Sequence, residues 1–242
     1  MATLCKHCPL RRKALFAPMT ADEVAGMQRF KAGELVVDAG TTVLLEGSNS
    51  PQLFTALHGL GLRYRHLENG ERQVINFIFP GDFIGLQAGL MGEMGHSVEA
   101  TTKMTLCVFD RGELWSYIKA SPERGFELAW LAAVEEHFLG DTLTTVGQRT
   151  ALQAVAWAFV RIYQRAEACG NGSNGAMRFP FKQRDLADAL GLSLVHTNKT
   201  IGVLKSRQLI GWDGDTVKIS DLAALAKIGL TTLDAPKLRP IM

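Results

Sequence analysis

The sequence predicts an α+β fold: an N-terminal β-roll of jelly-roll type, one long helix, and a C-terminal winged helix-turn-helix. Three observations carry this prediction. Glycine recurs at 33, 40, 47, 59, 61, 70, 81, 85, 89, 92 and 95, separating short apolar runs. After Pro122, the stretch Glu123–Val146 has no proline and only Gly125 and Gly140. Between Phe181 and Lys218 come a short helical stretch, a glycine turn, a second helical stretch and a hairpin.

The apolar runs Leu35–Val37, Val43–Leu45, Leu53–Leu57, Val74–Ile78 and Leu106–Phe109 have the length and partial alternation of strands. Many short strands with regular turns imply a closed or double-sheet β domain, placed at residues 21–122. Asn69-Gly70 lies between Leu62–Leu67 and Gln73–Phe79 and predicts a two-residue hairpin turn. Residues 1–20 form a separate cysteine-containing segment.

Residues 123–147 read as one helix. Leu131, Val134, Phe138, Asp141 and Thr145 follow the 3-4-3-4 spacing of a coiled-coil seam, so this helix is expected to pair with its copy in a homodimer. Gly147 should break it. Thr150–Ala168 is a second helix, apolar enough in its middle to pack inside a domain. Gly170–Gly175 reads as a flexible surface loop. The DNA-binding domain is placed at 148–230, with a tail at 231–242.

Bulk properties exclude some classes. A hydrophobic fraction of 47% with 21% charged residues argues against wholesale disorder, and a net charge of +2 requires any nucleic-acid site to be a local patch. No run approaches the roughly 18 apolar residues of a membrane span. Lys6, His7 and Arg11-Arg12-Lys13 interrupt any signal-peptide core, so a soluble, cytoplasmic protein without a membrane partner is expected. In that compartment Cys5, Cys8, Cys107 and Cys169 are thiols or metal ligands rather than structural disulfides.

The local patch exists. Lys182–Gly191 reads as a helix ended by glycine, Leu192-Ser193 as the turn with Ser193 an N-cap, and Leu194–Arg207 as the second helix. Leu194, Thr197, Ile201 and Leu204 would face inward, with Ala187 small where the helices approach. The outer face would present Val195, His196, Asn198, Lys199 and Gly202. Asn can pair with adenine, Lys with guanine or phosphate, and an apolar Val with a thymine methyl. Ile210–Ile219 supplies a wing. Residues 178–207 hold six cations, among them Lys182 and Lys205, against Asp185 and Asp188. A solvated helical hairpin with a basic rim is the plainer alternative; the wing and the charge favour DNA.

Taken together, Pro80-Gly81-Asp82-Phe83-Ile84-Gly85, the long helix, and Asp185-Leu186-Ala187 through Gly191-Leu192-Ser193 resemble the Crp–Fnr superfamily of bacterial regulators, nearer its Fnr/FixK-like branch. The resemblance implies a cyclic-nucleotide-binding-domain-like roll that senses a signal. It also implies a homodimer on a palindromic double-stranded operator, with RNA polymerase as a further partner of an activator. Val195 and Lys199 stand where the family commonly has Glu and Arg, so the half-site should differ from the usual words.

The resemblance also frames the signal. Cyclic AMP would need an Arg and a Glu at positions that look like His96-Ser97 and Leu86, and a buried phosphate would then be poorly neutralised. An iron–sulfur cluster is the other cofactor implied. Cys5-Lys6-His7-Cys8 is a C-x2-C pair able to face one metal. Cys107 matches the distant cysteine of the oxygen sensors, and the remaining cysteine position falls near Ala14. Zinc, a thiol–disulfide pair, or plain core burial of Cys107 stay open beside it. On the proposed seam Asp141 would face its own copy, and the resemblance implies that it opposes dimerisation. The alternative is that it lies just outside the seam, solvated and neutral in effect.

An enzyme is not expected. His7, His58, His66, His96, His137 and His196 lack cupin-like spacing, and no phosphate loop or hydrolase elbow occurs. A scaffold whose reading head has lost its DNA affinity is the remaining rival.

Overall fold

A computed structural model describes residues 2–242, which divide into two compact units. The first comprises Met1–Arg65, Asn76–Glu135 and Leu238–Met242; the second comprises His66–Ile75 and Glu136–Lys237.

The first unit opens with short 3-10 turns at Cys5–His7 and Pro9–Arg12, then helix α1 (Ala21–Phe30). Thr20 and Glu23 start α1 with a reciprocal capping box, satisfying amides that the first turn would leave open. The strands are β1 (Lys31–Val37), β2 (Thr42–Leu44), β3 (Gln52–His58), β4 (Gly61–His66), β5 (Arg72–Ile78), β6 (Phe83–Ile84), β7 (Ser97–Ala100) and β8 (Met104–Asp110), with helix α2 (Leu86–Met91) between β6 and β7. They form two sheets, ordered β1-β8-β3-β6 and β2-β7-β4-β5. Val37, Phe54, Leu106 and Val108 from one sheet meet Leu44, Ile78, Val98 and Ala100 from the other in a single apolar core, as a jelly-roll requires. Helix α3 (Leu114–Ala120) follows, with Tyr117 stacked on Phe30 of α1 at 4.4 Å.

Helix α4 (Pro122–Gln148) is continuous; Gly140 and Gly147 do not break it. The two units divide along it, after Glu135. In the second unit, α5 (Ala151–Ala168) is started by a Thr150/Gln153 capping box, and ten of its residues are buried. The second unit continues with β9 (Gly172–Ser173), β10 (Ala176–Arg178), α6 (Gln183–Leu190), α7 (Leu194–Ser206), β11 (Ile210–Asp213), β12 (Thr216–Ile219) and α8 (Leu222–Ile228).

Two turns depart from the sequence reading. Gly170–Gly175 is not a structureless loop, because β9 and β10 pair across it. Asn174 (φ 50°) and Gly175 (φ 77°) both take the left-handed region, as a two-residue type I′ turn demands. At Asn69-Gly70 only the glycine does so (φ 82°). There the Leu67 amide donates to Glu71 and the Gly70 amide to Leu67, which makes a three-residue loop with a glycine bulge.

The tail is a second departure. Residues 232–238 are exposed, but Arg239, Pro240, Ile241 and Met242 are buried in the first unit. No helix of the described residues is long and apolar enough to cross a membrane.

Candidate nucleic-acid interface

Helices α6 and α7 make the helix-turn-helix within the second unit. Gly191 (φ 64°) caps α6, its amide donating to Ala187. Ala187 and Leu186 are fully buried. Ser193 caps α7 by accepting the His196 amide at 3.2 Å. Thr197, Thr200, Ile201 and Leu204 form the buried side of α7. The inner face is therefore turned slightly from the one expected: Thr200 belongs to it, whereas Leu194 is 37% exposed.

Val195 is 79% exposed, and His196, Asn198, Lys199 and Gly202 are exposed beside it. The predicted reading face thus lies on one open surface. Two predicted contacts have other duties. Lys205 Nζ donates to the Trp212 carbonyl at 3.0 Å, fastening α7 to the wing. Lys182 is the N-cap residue of α6, and its amide donates to Asp185 at 2.8 Å; its side chain stays exposed.

The wing is more than one hairpin. Its sheet runs β11-β12-β10-β9, and Trp212 meets Phe159 and Phe179 edge-on at 5.8 and 5.1 Å, rooting it on α5. Lys218 on β12 and Arg178 on β10 are exposed cations of this sheet. Lys218 had no place among the predicted contacts; the alternation of Thr216–Ile219 was the signal for it.

Sequence reasoning also missed Arg72. In the second unit it pairs with Asp188 at 2.8 Å and with Asp185, while Arg184 pairs with Asp188 at 3.1 Å. Both acidic side chains of the patch are paired, Asp188 in part with the patch's own Arg184. The pairing spans more than a hundred residues of sequence and leaves no local trace.

The expected dimer seam is largely spent within the chain. In the first unit Leu131 is buried and Val134 half-buried. In the second, Phe138 stacks on Trp157 at 6.2 Å, and Thr145 is fully buried, accepting from Arg149 at 2.8 Å. Asp141 lies 3.5 Å from Arg161 and 4.0 Å from His137, so its charge is balanced in cis rather than aimed at a copy of itself. The open apolar side of α4 is one position further round. It carries Phe126 (73% exposed), Leu139, Leu143 (75%) and Val146, with Ala129 and Ala132 also exposed.

In the first unit, Cys5 and Cys107 are buried and Cys8 is half-buried. Lys31 lies in the same region: its Nζ donates to the Thr3 carbonyl at 2.7 Å and to Glu34 at 2.8 Å. Burial pushes the Cys107 thiol up to about 12 and raises Cys5, with Lys31 opposing both. The C-x2-C pair and Cys107 do share one region, as the spacing and the resemblance implied. Among the described residues no three metal-ligating side chains converge, and the Lys31 cation bears on both Cys5 and Cys107. The arrangement does not fit an iron–sulfur cluster. Cys169 is buried apart from it, in the second unit.

A cyclic nucleotide fits no better. Ser97 is buried and accepts the Glu46 amide at 3.0 Å. His96 is pushed down to about 4 by burial and by the Arg63 and Arg65 charges, leaving it neutral. The buried guanidinium here belongs to Arg63, which donates to Glu135 at 3.0 Å and to the Phe83 carbonyl at 2.9 Å. Asn76 adds a bond to the same carboxylate at 3.1 Å.

Comparison with known proteins agrees with this geometry. Residues 34–121 match the cyclic nucleotide-binding domain, and residues 153–228 match the Crp-like helix-turn-helix domain. The chain is 27% identical over 225 residues to the transcriptional activator protein FnrL of Cereibacter sphaeroides, covering 91% of this chain and 90% of that protein. It is 29% identical over 192 residues to the nitrogen fixation regulation protein FixK of Rhizobium meliloti, covering 78% and 83%. Its fold matches that of FixK2 from Bradyrhizobium japonicum with a TM-score of 0.73 at 21% identity, over 84% of this chain and 98% of that one. Both domains and their order therefore lead to one conclusion: the chain belongs to the Crp–Fnr superfamily, on its Fnr/FixK-like side, and is a transcription regulator that binds DNA through its helix-turn-helix.

Proposed function

We propose that this regulator works as a cytoplasmic homodimer that reads a palindromic promoter site with two copies of α7. The exposed face of Val195, His196, Asn198 and Lys199 carries this reading. Lys182, Arg178 and Lys218 supply phosphate contacts around it, and Ser193 and Lys205 hold the helix in place. Pairing runs through the open side of α4, where residues 132, 136, 139, 143 and 146 recur at heptad spacing and Leu139, Leu143 and Val146 stay exposed. The relatives named as activators support activation, with RNA polymerase as the further partner.

Selection from a genomic DNA pool, followed by sequencing, tests the reading: an enriched inverted repeat is expected, and unselective retention overturns it. Ultracentrifugation of Leu143→Asp tests the pairing; a monomer is expected, and an unchanged dimer places the interface elsewhere.

Cys8, half-buried and one turn from Cys5, supports a thiol-centred input at the C-x2-C pair rather than a cluster. Anaerobic purification should give iron-free, colourless protein whose DNA affinity changes on reversible thiol oxidation. Stoichiometric iron and sulfide with visible absorption would replace that reading with a metal-centred one.

A further inference from the structure

The last four residues of the chain are built into the first unit as a ligand would be. Arg239 pairs with Asp82 at 2.8 Å, both side chains being only 5% exposed. A second oxygen of Asp82 accepts the Phe79 amide at 2.8 Å, which fixes the carboxylate in place. Arg239 also forms a parallel bridge with Phe16: its amide donates to the Leu15 carbonyl at 2.8 Å, and the Ala17 amide donates to its carbonyl at 2.9 Å. Ile241 and Met242 are 5% and 2% exposed, and the Thr55 hydroxyl donates to the Met242 carbonyl. Phe16 in turn lies so close to Gly81 that a Cβ there would stand 2.1 Å from its ring.

The contacts have the chemistry of peptide recognition: a buried carboxylate for a guanidinium, main-chain pairing, an apolar slot, and a hydroxyl at the chain end. Just before them, residues 232–238 are exposed. Bound and solvated stretches therefore meet at one residue, as in a tethered ligand rather than in a strand of the core.

We propose that this groove is a peptide-binding site whose resident ligand is the chain's own residues 239–242, acting as a releasable strap. It holds Leu15–Ala17, the stretch that joins the cysteine-bearing segment to α1. Its release frees that stretch.

A protease site inserted within residues 232–237 tests this in the full-length, folded protein. After cleavage, the tail fragment should remain bound through gel filtration and be seen in the complex by native mass spectrometry. Excess synthetic Leu-Arg-Pro-Ile-Met should displace it, and the same peptide with Arg239→Gln should compete at least tenfold less well. Amide exchange at Ala17 should quicken once the fragment has been displaced and the peptide dialysed away. If cleavage lowers the Tm, adding the wild-type peptide should restore it. A fragment lost on the first column, a Gln peptide that competes equally, or a lowered Tm that the peptide does not restore would each overturn the proposal.

Discussion

The reading helix and the interior of the roll use the same kinds of residue to opposite ends. On α7, Asn198, Lys199 and His196 stand in solvent, and the fold keeps them there by burying Thr197, Thr200, Ile201 and Leu204 behind them. In the first unit, Arg63 and Ser97 of the roll are buried, Arg63 engaged with Glu135 of α4 and the Phe83 carbonyl and Ser97 with the Glu46 amide. Polar residues on an open face are available to a partner. Polar residues in a closed core fix a conformation, because each loses water and must be satisfied internally. A domain named for cyclic-nucleotide binding can thus keep its fold while its polar interior serves the chain itself.

The contrast predicts where substitutions should hurt. Glu135→Ala leaves Arg63 buried without its carboxylate and should cost about 3 kcal/mol in chemical unfolding, since breaking a buried pair strands a charge. Replacing both Arg63 and Glu135 with Met should recover most of that loss. A double variant as unstable as the single would mean that Arg63 is not the stranded group. Acid should act next. His96, with an ordinary value of 6.5 and a folded value pushed down to about 4, is neutral inside and charges on unfolding. Its contribution is therefore complete above the unfolded value and fades as pH falls from 6.5 toward 4, up to about 3 kcal/mol in all. The stability difference between wild type and His96→Phe should change over that window, wild type alone losing stability as pH falls; parallel curves would remove the histidine from the account.

Substitutions on the open face should behave differently. Asn198→Ala should weaken operator binding by about 2 kcal/mol and relax sequence preference at one position, while the Tm stays within a degree or two. A matching fall in stability would show that the residue is structural and not a reader. Ser193→Ala lies between the two classes. It removes the cap of α7 and should cost about 1 kcal/mol of stability, with DNA affinity falling only as far as the helix start frays.

Local chemistry made the first of these regions legible in the sequence. Ser193, Gly191, Ala187 and the alternation of Ile210–Ile219 each act within a few residues of themselves, so helix, turn, helix and wing could be placed before any coordinates. The β strands were legible for the same reason. The roll's polar interior was not, because Arg63 meets Glu135 across 72 residues and no periodicity encodes that. The same blindness hid Arg72 beside Asp185, and Arg239 beside Asp82. On α4 the spacing was legible but its rotation was not. A heptad of apolar residues and its neighbour one position on look alike until Trp157 and Arg161 claim one of them. Asn-Gly was read correctly as a turn signal at 69–70, yet the two-residue turn formed at 174–175, where both residues accept positive φ.

The buried Met242 carbonyl has a consequence at the bench. Any affinity handle or fluorescent reporter fused to the C-terminus extends the chain from a point that Thr55 holds inside the first unit. Such a fusion must pull the last residues outward or crowd β3, and its signalling behaviour would describe an opened molecule. Genetic screens that count on C-terminal fusions would then score the handle instead of the stimulus.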